Sequence, residues 1–358
     1  MNHATHGWER HDPADSDIRK NALSYAILAP SPHNTQPWIV EFDGPLRISL
    51  FIDQERLLPA CDPELRRVCV SHGSFIENFT LAAGYFGYRA DIDLFPGGWP
   101  GNALDLEKPV ARIDLEKDVA VEKDTLFEQI QKRETNRRVF RKNSITDHQV
   151  SVLSEASDVF TPISIVADND VRETLANYIV KAMEIEVSNQ DRITETLARF
   201  RFNDQEAALF RDGFGFAQFG SGGISRRLAE HFAISREKAE QDISSLGREA
   251  VKLTRKQAFS AAAYAWISTK GNNRMDQIKA GRCYERACLK ATEMGLAIQP
   301  FSQVLSEHQD MIDLREQLRE YIGISGGHTL QMLFRIGYAD PVPHTPRRPV
   351  DDFVRKRA

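Results

Sequence analysis

Several things are missing from this 358-residue chain, and each absence closes off a class of protein. No apolar run reaches the roughly 18 residues that a bilayer-spanning helix needs, so no membrane partner is expected. The first stretch, MNHATHGWERHDPADSD, lacks the basic start and apolar core of a secretion signal. There are only four cysteines, Cys61, Cys69, Cys283 and Cys288, and none shows metal or redox-pair spacing. They read as small apolar residues in a reducing compartment, which predicts a cytoplasmic protein without a metal site. A basic surplus is also missing. The formal net charge is -5 and the pI is about 6.1, which argues against nucleic acid as a partner. Neither G-x-G-x-x-G nor G-x-x-x-x-G-K-[ST] occurs, which weighs against a Rossmann or P-loop nucleotide site.

What is present is an ordinary globular composition, 41% hydrophobic and 27% charged, with length for one large domain or two medium ones. Apolar residues at helical spacing predict a first helix over 16–28, stopped by Pro30 and Pro32. WIVEF, Asp43-Gly44 and LRISLFID predict a hairpin. Asp62 followed by Pro63 predicts a helix start, and Gly87 its end. YRADIDLF and PVARIDLE read as strands.

Near residue 121 the pattern starts over. A helix is expected to end at KRETNRRVF, and another to span 145–159. PISIVAD reads as a strand, and a long helical stretch covers 169–201. FSAAAYAWIST and LAIQPF read as strands, with a helix over 274–294 between them. A helix near 309–321 and the strand LQMLFRIGY close the pattern. Helices and strands mix without a regular βαβ rhythm, so the fold class is α+β. The expected division is an N-terminal half over 1–120 and a C-terminal half over 121–358. Residues 203–245, with GFGFAQFGSGG and its exposed aromatics, read as a long irregular insert, either a lid or a plain connection.

Two stretches invite a chemical reading. In APSPHNTQPW, residues 29–38, stiff prolines frame Ser31, His33, Asn34, Thr35 and Gln36. That is either a tight turn whose side chains satisfy its own backbone, or a polar surface for a flat, hydrogen-bonding ligand. In KRETNRRVFRK, residues 132–142, Arg133, Thr135 and Arg137 alternate. In an extended segment they share one face, and two guanidinium groups flanking a hydroxyl suit an anion or phosphate. Taken alone, such a run is more often a solvated face. Arg347 and Arg348 near the C-terminus are open to the same two readings. His33, His72 and His328 read as structural.

Together the motifs resemble the nitroreductase-like flavoproteins. APSPHNTQPW resembles the family's A-P-S-x-x-N-x-Q-P-W loop, and RETNR its phosphate motif. GLAIQPFS at 295–302 resembles the stretch beside the flavin ring, and RIGYAD…TPRRPV the basic closing motif. The order departs from the common one, because the phosphate motif follows the A-P-S loop instead of preceding it. RETNRR, GRCYERACLKATEMGLAIQP and TPRRPVDD resemble the dormancy-associated, Acg-type branch, with two nitroreductase-like halves in one chain.

The resemblance implies a pseudo-dimer, either a monomer or a weak homodimer, with mixed and antiparallel sheets flanked by helices. One complete FMN site would lie across the halves. It implies that Arg133, Thr135 and Arg347 or Arg348 hold the phosphate and ribityl end, and that Arg137 sits by the pyrimidine edge. Pro30, Ser31, Asn34 and Gln36 would contact ring and ribityl. Gln299 and Pro300 would lie beside the ring, and backbone N–H groups near Ser302 and Gln303 would reach N5. Pro32 stands where many members have a second serine. No side chain is needed as a dedicated acid. The implied activity is a ping-pong oxidoreductase with NAD(P)H as donor and a nitroaromatic or quinone-like small molecule as acceptor. The alternative is a flavin-sequestering stress protein whose lid shuts out NAD(P)H.

Overall fold

A computed structural model of the chain describes residues 7–8, 17–98, 101, 103–157, 161–220 and 235–355. Ten strands and ten helices are described. The strands are β1 (Trp38–Gly44), β2 (Arg47–Ile52), β3 (Tyr88–Leu94), β4 (Ala111–Lys117), β5 (Ile163–Val166), β6 (Phe200–Arg201), β7 (Phe214–Gly215), β8 (Ala263–Lys270), β9 (Ala297–Pro300) and β10 (His328–Gly337). The helices are α1 (Ile18–Ala26), α2 (Arg66–Tyr85), α3 (Asp147–Ser154), α4 (Asn169–Ser188), α5 (Gln190–Ala198), α6 (Asp204–Phe210), α7 (Arg236–Gln241), α8 (Ile243–Ala258), α9 (Arg274–Glu293) and α10 (Ile312–Tyr321).

The fold is α+β, built on two four-stranded antiparallel sheets. One has the order β1-β2-β4-β3 and the other β5-β8-β10-β9. Strands of the first sheet all precede residue 118, and those of the second all follow 162. The chain end crosses back. Val40 donates to the Phe353 carbonyl and Val354 bridges Val40, so the tail seals the β1 edge. Phe353 joins Trp38, Phe75 and Phe79 in the first core, where each ring is fully or almost fully buried. Burying such a ring stabilises by roughly 1.5–3 kcal/mol.

Helices α2 and α9, 20 residues each, cross through glycine. Gly73 and Gly281 are each the eighth residue of their helix. A Cβ on Gly73 would lie 2.0 Å from the Ile278 carbonyl oxygen, and one on Gly281 would lie 1.9 Å from that of Val70. Only glycine lets the two backbones approach this closely.

Several sequence expectations need correction. No α-helix ends at KRETNRRVF. A short 3₁₀ turn, Thr125–Gln129, precedes an extended segment in which Thr135 pairs with Ile298 at the free edge of β9. The hairpin turns at Pro45-Leu46, because β1 runs through Gly44 after a bulge. Asp62 does cap α2, accepting from the Arg67 and Val68 amides, but the helix starts only at Arg66, after Leu65 in the left-handed region. The 169–201 stretch breaks at Asn189, whose side chain caps α5. The 203–245 insert is not irregular where it is described. It holds α6, β7 and α7, and its Phe214 is buried in an edge-to-face group with Phe200. Residues 221–234 lie outside the described residues. Among the described residues no helix is long and apolar enough to cross a membrane, and no cluster is placed to hold a metal ion.

Candidate functional site

The loop after α1 is folded tightly on itself. Ser31 Oγ accepts from the Gln36 amide at 2.9 Å, and the Asn34 amide donates to the Ser31 carbonyl. His33, Asn34 and Gln36 all have positive φ, at 46°, 54° and 54°. Left-handed backbone costs a residue with a side chain on the order of 1 kcal/mol. Three such residues in four positions persist because long-range contacts hold them. Asn34 Nδ2 donates to the Gly213 and Pro346 carbonyls, both at 2.8 Å. Gln36 Nε2 donates to Arg211 O at 2.9 Å, and Gln36 Oε1 accepts from the Arg348 amide at 3.1 Å. The loop thus clamps both the 211–213 segment and the C-terminal tail.

A narrow cavity of about 30 Å³ opens beside this clamp, well below the usual size of a small-molecule pocket. Pro30, Ser31 and Asn34 line it from the first half of the chain, and Arg133, Thr135, Arg137 and Arg347 from the second. The alternation read from RETNR is matched by the extended backbone at 135–136. Arg133 and Arg347 lie side by side and almost fully buried, each donating through Nη2 to the Leu28 carbonyl at 3.1 Å. Arg133 Nε, Arg347 Nε and Arg347 Nη1 are buried without hydrogen-bond partners, as are Asn34 Oδ1 and His344 Nδ1. Burial, reinforced by Arg133, pushes the Arg347 guanidinium down to about 9. Burial likewise pushes Arg137 down to about 10, and its guanidinium stacks over Phe214 at 4.7 Å. Unused donors on two neighbouring buried cations are the chemistry of an anion site.

The other expected residues lie elsewhere. Gln36 is fully buried and spent on the clamp. Arg348 does not line the cavity. It donates to the Gln36 carbonyl and lies over the Phe353 ring at 4.1 Å. Gln299 accepts from Arg335 Nε at 2.9 Å and sits against Gln257. Pro300 ends β9, the Ser302 carbonyl accepts from Arg67, and Gln303 opens a 3₁₀ turn. None of these four lines the cavity.

Of the rest of the wall, the sequence points only to the 203–245 segment, as a candidate lid. Phe214 and Gln218 roof the cavity, and Gln218 Nε2 ties the roof to the Pro343 carbonyl at 3.1 Å. Trp8 stacks on His344 at 3.8 Å and donates to the Thr345 carbonyl. Glu134 accepts from the Val342 amide, fixing the tail over the site, and burial pushes its carboxyl up.

Comparison with known proteins fixes the class. The model of the nitroreductase family matches residues 130–338, more than half of the chain, and the chain belongs to that family. It is similar to acg of Mycobacterium tuberculosis, provisionally named an NAD(P)H nitroreductase, with 28% identity over 357 residues, 96% of this chain and 97% of that one. A second provisionally named NAD(P)H nitroreductase of that organism is 25% identical, covering 95% of this chain and 92% of the relative. Among solved structures, the FMN-dependent nitroreductase NfnB of Mycobacterium smegmatis in complex with NADPH is 20% identical. It covers 64% of this chain and 97% of that chain, with a TM-score of 0.40.

Proposed function

We propose that the chain is an FMN-dependent oxidoreductase that takes hydride from NAD(P)H and reduces a nitroaromatic or quinone-like acceptor. The observation that carries this reading is the pair Arg133 and Arg347. Both line one cavity, in a chain of the nitroreductase family, and Arg347 Nε and Nη1 have no hydrogen-bond partner. The residues fit the group. Two guanidinium ions suit a phosphate, the Asn34 Oδ1 acceptor suits a donor on the ligand, and Thr135 offers a hydroxyl. Bound FMN would supply a ring that accepts hydride and passes on two electrons. The chain's own part is to hold and tune. Arg133, Arg347 and Thr135 would anchor the phosphate and ribityl end. Arg137, a half-buried cation without an ion pair among the described residues, would favour negative charge on the reduced ring and raise its potential. Residues 1–120 and 121–358 would act as two halves sharing one site within a single chain.

A second reading, a flavin-sequestering protein with little turnover, is favoured by the anchoring of the roof. Asn34 holds Gly213, Gln36 holds Arg211, and Asp212 takes ion pairs from Arg56 at 2.9 Å and Arg199 at 3.2 Å. A roof tied this firmly would leave no open face for NAD(P)H. An anaerobic absorbance spectrum of the purified protein separates the two. A flavin band that bleaches rapidly with NADPH or NADH supports the reductase. A band that bleaches only with dithionite supports sequestration. No band after incubation with FMN refutes both.

A further inference from the structure

Behind the two arginines, Glu285 on α9 is fully buried, and its Oε1 lies 3.5 Å from Arg133 Nε. Neither carboxylate oxygen accepts a hydrogen bond of normal length, and the amide of the fully buried Asn78 on α2, otherwise unpartnered, approaches the carboxylate only loosely. Arg133 Nε and Arg347 Nε and Nη1 are unsatisfied as well, and both guanidinium charges act on the Glu285 carboxyl. Native interiors tolerate few such atoms. Glu77 shows what a satisfied counterpart looks like. Glu77 and Glu285 are each the twelfth residue of their helix. Glu77 accepts from Arg282 Nε at 2.7 Å and Arg286 Nη1 at 2.8 Å, while Glu285 has only loose approaches to Arg133 and the Asn78 amide. Among the described residues, no other carboxylate lies within ion-pair distance of Arg133 or Arg347.

We propose that Glu285 is a positioning residue that serves as the exchangeable counter-ion of Arg133 and Arg347, and that it takes up a proton when an anionic ligand binds them. The charges balance. Two guanidinium ions and one carboxylate sum to a single positive charge. A phosphate dianion beside both arginines, with Glu285 protonated by solvent, brings the cluster to neutrality. A carboxylate and a phosphate cannot both stay charged against the same buried pair without mutual repulsion. The surroundings place Glu285 in the right range. Burial pushes its carboxyl up to about 7, against the pull of Arg133, the Asn78 amide and Arg347, with Glu77 pushing the same way as burial. Tyr284 and Cys288, its neighbours on α9, are both held neutral by burial. Arg286 is occupied by Glu77 and Asp124, and Lys290 by Glu155.

This inference rests on the FMN reading for its ligand, and an infrared measurement keeps its failure distinct from the failure of that reading. Calorimetric titration of FMN in two buffers of different ionisation heat counts protons directly. At pH 8 the native protein should take up a substantial fraction of one proton, and its affinity should fall about fivefold or more from pH 7 to pH 8.5. Phosphate stays largely dianionic across that window, so it adds little slope. In Glu285→Gln both effects should shrink to the part left by Arg347, whose guanidinium is itself held near 9, and Glu285→Asp should restore them. Equal proton uptake in the native protein and the glutamine variant would overturn the proposal. A native protein that binds no FMN refutes the functional reading, and infrared difference spectra then decide on Glu285 alone. A protonated-carboxyl band present at pH 6, lost by pH 8.5 and absent from Glu285→Gln supports the proposal. Identical difference spectra in the two proteins overturn it.

Discussion

Replacing Arg347 by methionine should move two quantities in opposite directions. Arg347 is 1% exposed, yet two of its three nitrogens find no partner. Burial and Arg133 hold its guanidinium near 9. The charged form is therefore penalised in the ligand-free protein, by an amount on the order of several kcal/mol. Methionine removes that penalty at similar volume. It also removes the bonds from Nη2 to the Leu28 and Ala29 carbonyls, at 3.1 and 2.9 Å. Leu28 O keeps its donor from Arg133, so the loss centres on Ala29 O and costs about 1–3 kcal/mol. The ligand-free variant should thus be as stable as the native protein or more so by about 1–3 kcal/mol. Linkage adds a sign. A cation whose folded pKa is depressed leaves the unfolded state binding more protons above it, so native stability gains from this group as pH rises past about 9. The variant should lack that gain. Affinity for FMN should move the other way. Losing charge-assisted bonds worth about 1.5–3 kcal/mol each should raise Kd on the order of a hundredfold. Urea unfolding of the ligand-free protein and a flavin fluorescence titration measure both. A variant that loses more than about 2 kcal/mol ligand-free, or binds FMN within about fivefold of native, would refute the reasoning.

Three further outcomes follow from named contacts. Gly281→Ala should destabilise by on the order of 3 kcal/mol, because its Cβ would sit 1.9 Å from the Val70 carbonyl oxygen and force α2 and α9 apart; an unchanged urea midpoint would show that the crossing can relax. Asn34→Ala strips donors from the Gly213 and Pro346 carbonyls, a local loss of about 2–4 kcal/mol. Amides over 211–220 should then exchange faster, and if the roof excludes NAD(P)H its oxidation should rise; unchanged exchange would mean that other contacts hold the roof. Burial, with Arg67 and Arg137, pushes His33 down to about 3, so the unfolded chain binds its proton from about pH 6.5 while the folded one does not. Stability should therefore fall with pH across that window by up to about 1.4 kcal/mol per unit from this group, and His33→Gln should flatten the slope. Parallel acid limbs in the two proteins would rule His33 out.

How much could be read from sequence depends on the range of the force involved. The first helix, the hairpin strands and the alternation of Arg133, Thr135 and Arg137 were legible because each follows from spacing within a few residues. What escaped depends on partners far away in the chain. Gln36 and Arg348 carry the right chemistry for a ligand, but they meet each other across the fold and are spent on the clamp. Gln299 is taken by Arg335 in the same way. KRETNRRVF resembles a helix end by composition, yet its backbone is drawn straight by the free edge of β9. The aromatics of 213–220 look exposed by their glycine neighbours, but they pack with Phe200 and Phe202 as the roof. Glu77 and Glu285 show the limit most clearly. They hold the same place in helices of the same length. Arg282 and Arg286 neutralise one, while the other faces Arg133 with its oxygens unsatisfied. Helical periodicity puts both carboxylates inside and cannot rank them. Only the packing of α2 against α9, set by Gly73 and Gly281, assigns one to the frame and leaves the other beside the arginines of the candidate site.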